Sequence, residues 1–93
     1  MKILAVCGFG VGSSLILKMT IDKVLKDIGY EADVVNTDIS DARSYQADAI
    51  FTSPDFVESL QGSVKATLYP VKRYSDKEEV KEQLLKAFAA NEK

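Results

Sequence analysis

The chain has 93 residues, of which 46% are hydrophobic, and a formal net charge of −2. This length gives room for one core in a single domain, predicted to span residues 1–93. A near-neutral chain argues against nucleic acid as a partner, and the absence of histidine excludes a catalytic triad, a His-based zinc site and a phosphohistidine on this chain.

The first elements are a strand and a long helix. Residues 2–7 are apolar without alternation, which is typical of a parallel strand covered on both faces. Ser13 and Ser14 suit the start of a helix. Gly29 is a natural stop for that helix. Between these limits, apolar residues recur at helical spacing: Leu17, Ile21, Val24 and Ile28.

The middle of the chain repeats this alternation with shorter elements. Residues 32–37 and 47–52 are predicted strands, separated by a weak signal for a short helix over residues 40–45. Ser53 then resembles a helix cap, with Pro54 at the first helical position. That helix is expected to end near Leu60, before Gly62.

A fourth strand and a final helix complete the pattern. Residues 64–71 hold the strand, and Pro70 suggests an edge position because proline lacks an N–H. Ser75 with Glu78 matches a capping box at the start of the last helix. This helix is predicted to run to about Ala90, with four residues facing inward: Val80, Leu84, Leu85 and Phe88.

Strand and helix thus alternate four times, which predicts an α/β fold. We expect a four-stranded parallel sheet with helices on both faces, a Rossmann-like or flavodoxin-like three-layer sandwich. Ligands of such folds bind beyond the carboxyl ends of the strands, where residues 7–14 should lie. The apolar runs are too short to span a bilayer. We therefore expect a cytoplasmic protein without direct membrane insertion.

Cys7 is the one cysteine of the chain, so no internal disulfide and no oxidising compartment are implied. A free cysteine is often a buried structural thiol. Here it ends a strand and faces a glycine-rich loop and a helix N-terminus, which stabilise negative charge. Such surroundings lower the pKa of a thiol below its usual value of about 8.5. We expect an activated Cys7.

The loop after Cys7 has glycine at every second position: Gly8, Gly10 and Gly12. A flexible turn is the simpler interpretation, but glycines also let successive amides approach a bound anion. Ser13 stands where a dinucleotide fingerprint needs its final glycine, and no Walker loop follows. Ser13 and Ser14 are interpreted as helix caps, and at least one of them as a phosphate contact.

Two further pairs of residues have both a functional and an ordinary interpretation. Phe9 and Val11 alternate with the glycines, so they either form an apolar docking surface or pack against neighbouring loops. Lys72 and Arg73 fall near the same edge. They either help to dock an acidic partner or phosphate or, as is more common, belong to a solvated surface.

Cysteine-dependent phosphatases offer a useful contrast. Low-molecular-weight tyrosine phosphatases and arsenate reductases also place a cysteine between a first strand and a helix, but they need an arginine six residues later. Here that position is Ser13. Asp76 is a poor candidate for their late acid because it coincides with a helix start. Such a loop suits a phosphate carrier better than a phosphatase.

The segment from Cys7 to Ser14, followed by Leu17, Lys18 and Met19, resembles the IIB component of the bacterial sugar phosphotransferase system (PTS). The likeness is greater to its ascorbate and galactitol branch than to its lactose and cellobiose branch. Phe9 and Val11 stand where that family often has polar residues.

The resemblance implies a phosphotransferase in which Cys7 accepts a phosphoryl group from a phosphohistidine on a IIA partner. Cys7 then passes the group to the sugar in the membrane IIC transporter. The implied phosphate-binding residues form one loop: Gly8, Phe9, Gly10, Val11, Gly12, Ser13 and Ser14. No metal and no cofactor are expected. Two alternatives stay open, a cysteine phosphatase or arsenate reductase, and a non-catalytic anion-binding module.

Overall fold

The structure is a computed structural model that describes residues 2–7, 11–42, 44–62, 64 and 66–91. Strands and helices alternate along the chain in the predicted order. Their bounds are β1 (Lys2–Cys7), α1 (Val11–Ile28), β2 (Asp33–Asp38), α2 (Ile39–Ala42), β3 (Ala49–Thr52), α3 (Pro54–Leu60), β4 (Thr67–Pro70) and α4 (Lys77–Asn91).

The four strands form one parallel sheet in the order β2-β1-β3-β4. The predicted fold class is therefore confirmed. Pro70 lies on β4, an edge strand, as its missing N–H predicted. The chain first moves from β1 to one side of the sheet and then crosses to the other side at β3. The carboxyl ends of β1 and β3 thus form the topological switch point, where such folds bind ligands.

Apolar side chains cover both faces of the sheet. Ile3 and Ala5 of β1 belong to one buried cluster with residues of α1 and α4, whereas Leu4 and Val6 belong to a second cluster with Ala42 of α2 and Leu60 of α3. These four β1 residues are fully buried. Successive side chains of these four residues therefore enter the two clusters in turn, so all four positions must be apolar.

Several predicted helix ends are confirmed. Gly29 follows α1 with a φ of +77°, and the Tyr30 N–H donates to the Leu25 carbonyl at 3.1 Å, a glycine-terminated helix end. Ser53 caps α3, its hydroxyl accepting from the Asp55 N–H at 3.4 Å. Gly62, with a φ of +85°, lies just beyond that helix.

The starts of two helices differ from the prediction. α1 begins at Val11, so Ser13 and Ser14 lie inside its first turn and neither is its N-cap. α4 is capped by Asp76 instead of Ser75, because the Asp76 carboxylate accepts from the N–H groups of residues 78 and 79 at 3.0 and 3.3 Å. A carboxylate is a strong acceptor for helix N–H groups, so the predicted capping box is wrong.

Other differences concern element bounds and one core residue. Leu85 is 45% exposed on α4, so its predicted inward position is wrong. β2 lies one residue later than predicted, and α2 is shorter, because turns that bond Ser44 to Asp41 and Tyr45 to Ala42 follow it. β3 and β4 begin later than predicted, and Val64 forms only an isolated bridge.

Candidate functional site

The candidate site lies at the carboxyl edge of the sheet, around the switch point. Cys7 is the last residue of β1 and lies opposite Asp38, the last residue of β2. On the other side of β1, Val6 lies opposite Thr52, the last residue of β3. The register thus brings the ends of three strands together, with the backbone of Cys7 on the central one.

The loop predicted to bind phosphate is shorter than expected. Gly8, Phe9 and Gly10 lie outside the described residues, as do the side chains of Cys7 and of residues 11–14. The backbone of Val11 to Ser14 forms the first turn of α1. The second half of the predicted loop is therefore the first turn of a helix.

The start of α1 differs in sequence from those of the other helices. The first four N–H groups of a helix have no carbonyl partner within it. Asp38, Ser53 and Asp76 supply side-chain oxygens to such N–H groups in α2, α3 and α4. Residues 8–10, which precede α1, carry no side-chain oxygen, and its first turn contains no acidic residue. This end suits an external anion.

Two hydroxyl groups meet on the carbonyl that precedes Cys7. Thr52 Oγ1 donates to the Val6 carbonyl oxygen at 3.1 Å, and Tyr74 Oη donates to the same oxygen at 3.4 Å. Tyr74 Oη also accepts from the Ser53 N–H at 3.1 Å. Thr52 is fully buried and Tyr74 half-buried. These contacts tie the end of β1 to the start of α3 and to the loop after β4.

From the sequence alone, neither Thr52 nor Tyr74 had a predicted role in the site. Thr52 ends an otherwise apolar strand, which signals a buried hydroxyl in need of an acceptor. The contact of Tyr74 with Val6 spans 68 positions along the chain, and no local pattern indicates it.

The carboxylate of Glu79 holds the loop between β4 and α4 through hydrogen bonds to its main chain. Glu79 accepts from the N–H of Lys72 through one oxygen at 2.7 Å and from that of Arg73 through the other at 3.0 Å. The Val71 N–H also donates to the Thr52 carbonyl at 2.7 Å. Lys72 and Arg73 are exposed. Their main chain is held in place, whereas their docking role stays a prediction.

An apolar patch lies on the outer face of α1, next to the site. Leu15, Ile16 and Met19 are 48%, 49% and 49% exposed. Further along the same outer face, the exposed residues are Lys23, Lys26 and Asp27. We call the first three residues the α1 patch. From the sequence, Met19 is evident only as part of a motif, because its exposure depends on the positions of the neighbouring elements.

Within the described part of the chain, no helix is both long enough and apolar enough to cross a membrane.

Asp76, considered above as the general acid of a phosphatase, uses its carboxylate to cap α4.

Comparisons with known proteins agree with this fold. A family model described as "PTS system, Lactose/Cellobiose specific IIB subunit" matches residues 2–86. The chain is 30% identical over 88 residues to the ascorbate-specific PTS system EIIB component of Mycoplasma pneumoniae, with 92% of this chain and 93% of that protein covered. The chain belongs to the PTS IIB family, whose members act as phosphotransferases.

A solved structure supports the fold alone. The lactose-specific IIB domain from Streptococcus pneumoniae superposes with a TM-score of 0.71 at 13% identity, covering 95% of this chain and 97% of that domain. The predicted IIB membership is confirmed. The named sugars differ among the comparisons, so they do not agree on one branch.

Proposed function

We propose that this chain is a phosphocysteine carrier. The Cys7 thiolate attacks the phosphorus of a phosphohistidine on a IIA partner, a P–S bond forms, and the P–N bond breaks with its electron pair passing to the imidazole. A sugar hydroxyl in the membrane IIC transporter then attacks the same phosphorus. The P–S bond breaks, the sulfur leaves as thiolate, and the hydroxyl proton passes to a base or to water.

The observation that carries this proposal is the position of Cys7. It ends the central strand at the switch point, and the N-terminus of α1 follows four residues later. A phosphocysteine carries a charge of roughly −2 near neutral pH, by analogy with other phosphorylated residues. The first-turn N–H groups and the helix dipole offset such a charge.

The remaining loop residues have supporting roles in this proposal. In this proposal the main-chain amides of Gly8, Phe9 and Gly10, together with those of Val11 to Ser14, bind the phosphoryl group. Phosphoryl transfer has a loose transition state, so positioning and charge stabilisation do most of the work. The proposed reaction needs no metal and no cofactor on this chain.

The proposed sugar is ascorbate. The name of the Mycoplasma relative supports this choice at 30% identity, over 92% of the chain. The selective pocket belongs to the IIC transporter in this proposal, and the carrier works on the cytoplasmic side of the membrane.

The α1 patch is the proposed docking surface for the IIA donor. A donor must bring its phosphohistidine to the start of α1, and the patch occupies the half of the outer face closest to that point. Beyond it lie two exposed lysines, Lys23 and Lys26, and one exposed carboxylate, Asp27. The positive charge that prevails there fits a donor surface with an apolar centre and acidic residues on one side.

The test is intact mass spectrometry after incubation with phosphoenolpyruvate, the general phosphotransferase proteins and the IIA donor. We expect one acid-sensitive phosphoryl adduct on the wild-type chain and none on Cys7→Ser, because a serine hydroxyl is a much weaker nucleophile. Tyr30→Phe, at the opposite end of the sheet, should be phosphorylated like the wild type. Turnover of an aryl phosphate would instead indicate a phosphatase, and no adduct at all would indicate an anion-binding module.

A further inference from the structure

The peptide group that joins Val6 to Cys7 is held on its carbonyl side by two side chains. Thr52 Oγ1 and Tyr74 Oη both donate to the Val6 oxygen, at 3.1 and 3.4 Å. The nitrogen of the same peptide group belongs to Cys7. The orientation of this plane sets the position of the Cys7 nitrogen, and with it the backbone from which the Cys7 side chain projects.

The Tyr74 hydroxyl is itself fixed from two directions. It accepts from the Ser53 N–H at 3.1 Å and donates to the Val6 carbonyl oxygen at 3.4 Å. The main chain just before it is held by Glu79 through the N–H groups of Lys72 and Arg73. Glu79 of α4 thus holds the main chain next to Tyr74, and the Tyr74 hydroxyl contacts the end of β1.

We propose that Tyr74 is a positioning residue for Cys7, its hydroxyl fixing the Val6–Cys7 peptide group so that the sulfur stays aligned with the first turn of α1. The inference rests on the proposed function, in which this sulfur serves two successive transfers. A hydrogen bond to a carbonyl also polarises its peptide group, which makes the Cys7 N–H a better donor toward negative charge.

The test compares Tyr74→Phe with the wild-type chain in single-turnover phosphorylation by the IIA donor. We expect the maximal rate to fall about 10- to 100-fold, as for small displacements of reacting groups. The donor concentration that gives half the maximal rate should not change, because Tyr74 lies outside the α1 patch. Tyr30→Phe is the matched control, since it removes a tyrosine hydroxyl at the other end of the sheet and should keep the wild-type rate.

A second measurement tests the hydrogen bond itself. In Tyr74→Phe the ¹³C chemical shift of the Val6 carbonyl should move to lower frequency, as expected for a carbonyl that loses a donor. Thr52→Val should move it in the same direction and slow the transfer, whereas Thr52→Ser, which keeps the hydroxyl, should retain most of the rate. The Thr52 pair keeps the test decisive if Tyr74→Phe folds poorly.

The outcomes separate this inference from the proposed function. A wild-type chain that accepts no phosphoryl group contradicts the proposed function, and the rate of Cys7 alkylation by iodoacetamide at fixed pH then tests Tyr74 alone. Slower alkylation in Tyr74→Phe than in the wild type supports the inference, since a misplaced sulfur loses thiolate stabilisation. Equal alkylation rates, an unchanged Val6 carbonyl shift, or a wild-type transfer rate in Tyr74→Phe would overturn it.

Discussion

The two ends of the sheet hold their connections in different ways. At the carboxyl end, side-chain oxygens of residues such as Ser53, Asp76 and Glu79 accept from main-chain N–H groups. At the amino end, Gly29 and Gly62 turn the chain with positive φ, and the one such side-chain acceptor among the described contacts is Asp48, which accepts from the Lys2 N–H at 2.8 Å. Tyr30 also stacks on Phe88 there, with ring centroids 4.4 Å apart.

The difference follows from the direction of the helices. In a parallel α/β fold every helix begins at the carboxyl edge and ends at the amino edge. Unpaired N–H groups therefore collect at one edge and unpaired carbonyls at the other. The carboxyl edge needs acceptors, and an anion is one. The amino edge needs chain reversals, which glycine supplies. Changes at the amino edge should thus alter stability without altering phosphoryl transfer.

The largest effect on stability is expected for Phe88→Ala. Phe88 is 9% exposed and packs against both the core and the Tyr30 ring, so its loss leaves a cavity. We expect the free energy of unfolding to fall by about 3–5 kcal/mol, measured by urea denaturation. The folded fraction should still be phosphorylated at the wild-type rate.

Leu85→Ala is the control for this change, because Leu85 lies on the same helix but is largely exposed. It should cost no more than about 1 kcal/mol. A slower phosphoryl transfer in folded Phe88→Ala would show that the two ends of the sheet are coupled. It would contradict the expectation that changes at the amino edge alter stability alone.

A matched pair of substitutions compares a helix cap at the carboxyl end of the sheet with a glycine turn at the amino end. Asp76→Ala removes the cap of α4 at the carboxyl end, and Gly29→Ala puts a Cβ on a residue with a φ of +77° at the amino end. Each should lower the free energy of unfolding by about 1 kcal/mol, for unrelated reasons. Thermal or urea denaturation measures both.

The conservative variants distinguish the two causes. Asp76→Asn should keep most of the stability, because asparagine caps about as well as aspartate. Gly29→Asn should cost less than Gly29→Ala, because asparagine tolerates positive φ better than alanine. No atom lies within 4 Å of a Cβ built on Gly29, so a cost there is conformational. A neutral Gly29→Ala would contradict this explanation.

The sequence predicted most of the fold because the signals for its elements are local. The unbroken apolar run of β1, the Ser53-Pro54 start of α3 and the glycine that ends α1 each depend on neighbouring residues. The start of α4 was misjudged because Ser75 and Asp76 are adjacent and both suit a cap. Only the hydrogen bonds in the structure show which of the two residues is the cap.

The site was less predictable than the fold. A cysteine followed by glycines at the end of a strand indicates an anion site from local pattern alone. The contacts of Thr52 and Tyr74 with Val6 join positions 46 and 68 residues apart, so they arise only when the strands are in register. The exposure of the α1 patch likewise depends on which face of the helix meets the sheet.

The smallest effect on stability is expected for exchanges along the outer face of α1. Met19→Lys makes the apolar half of this face resemble the charged half, and Lys23→Met does the reverse. Both side chains are exposed, so the free energy of unfolding should change by no more than about 0.5 kcal/mol in either variant. The two variants should differ in the concentration of IIA donor that half-saturates phosphoryl transfer.

If the α1 patch receives the IIA donor, Met19→Lys replaces an apolar contact with a charge that must lose its water on docking. The half-saturating donor concentration should then rise about tenfold, which corresponds to about 1.4 kcal/mol, while the maximal transfer rate stays unchanged. Lys23→Met should raise the half-saturating concentration much less, because a charge at the solvated rim of an interface contributes little to affinity. Equal effects of the two variants would mean that the donor docks elsewhere, and the apolar half of α1 would then need another occupant.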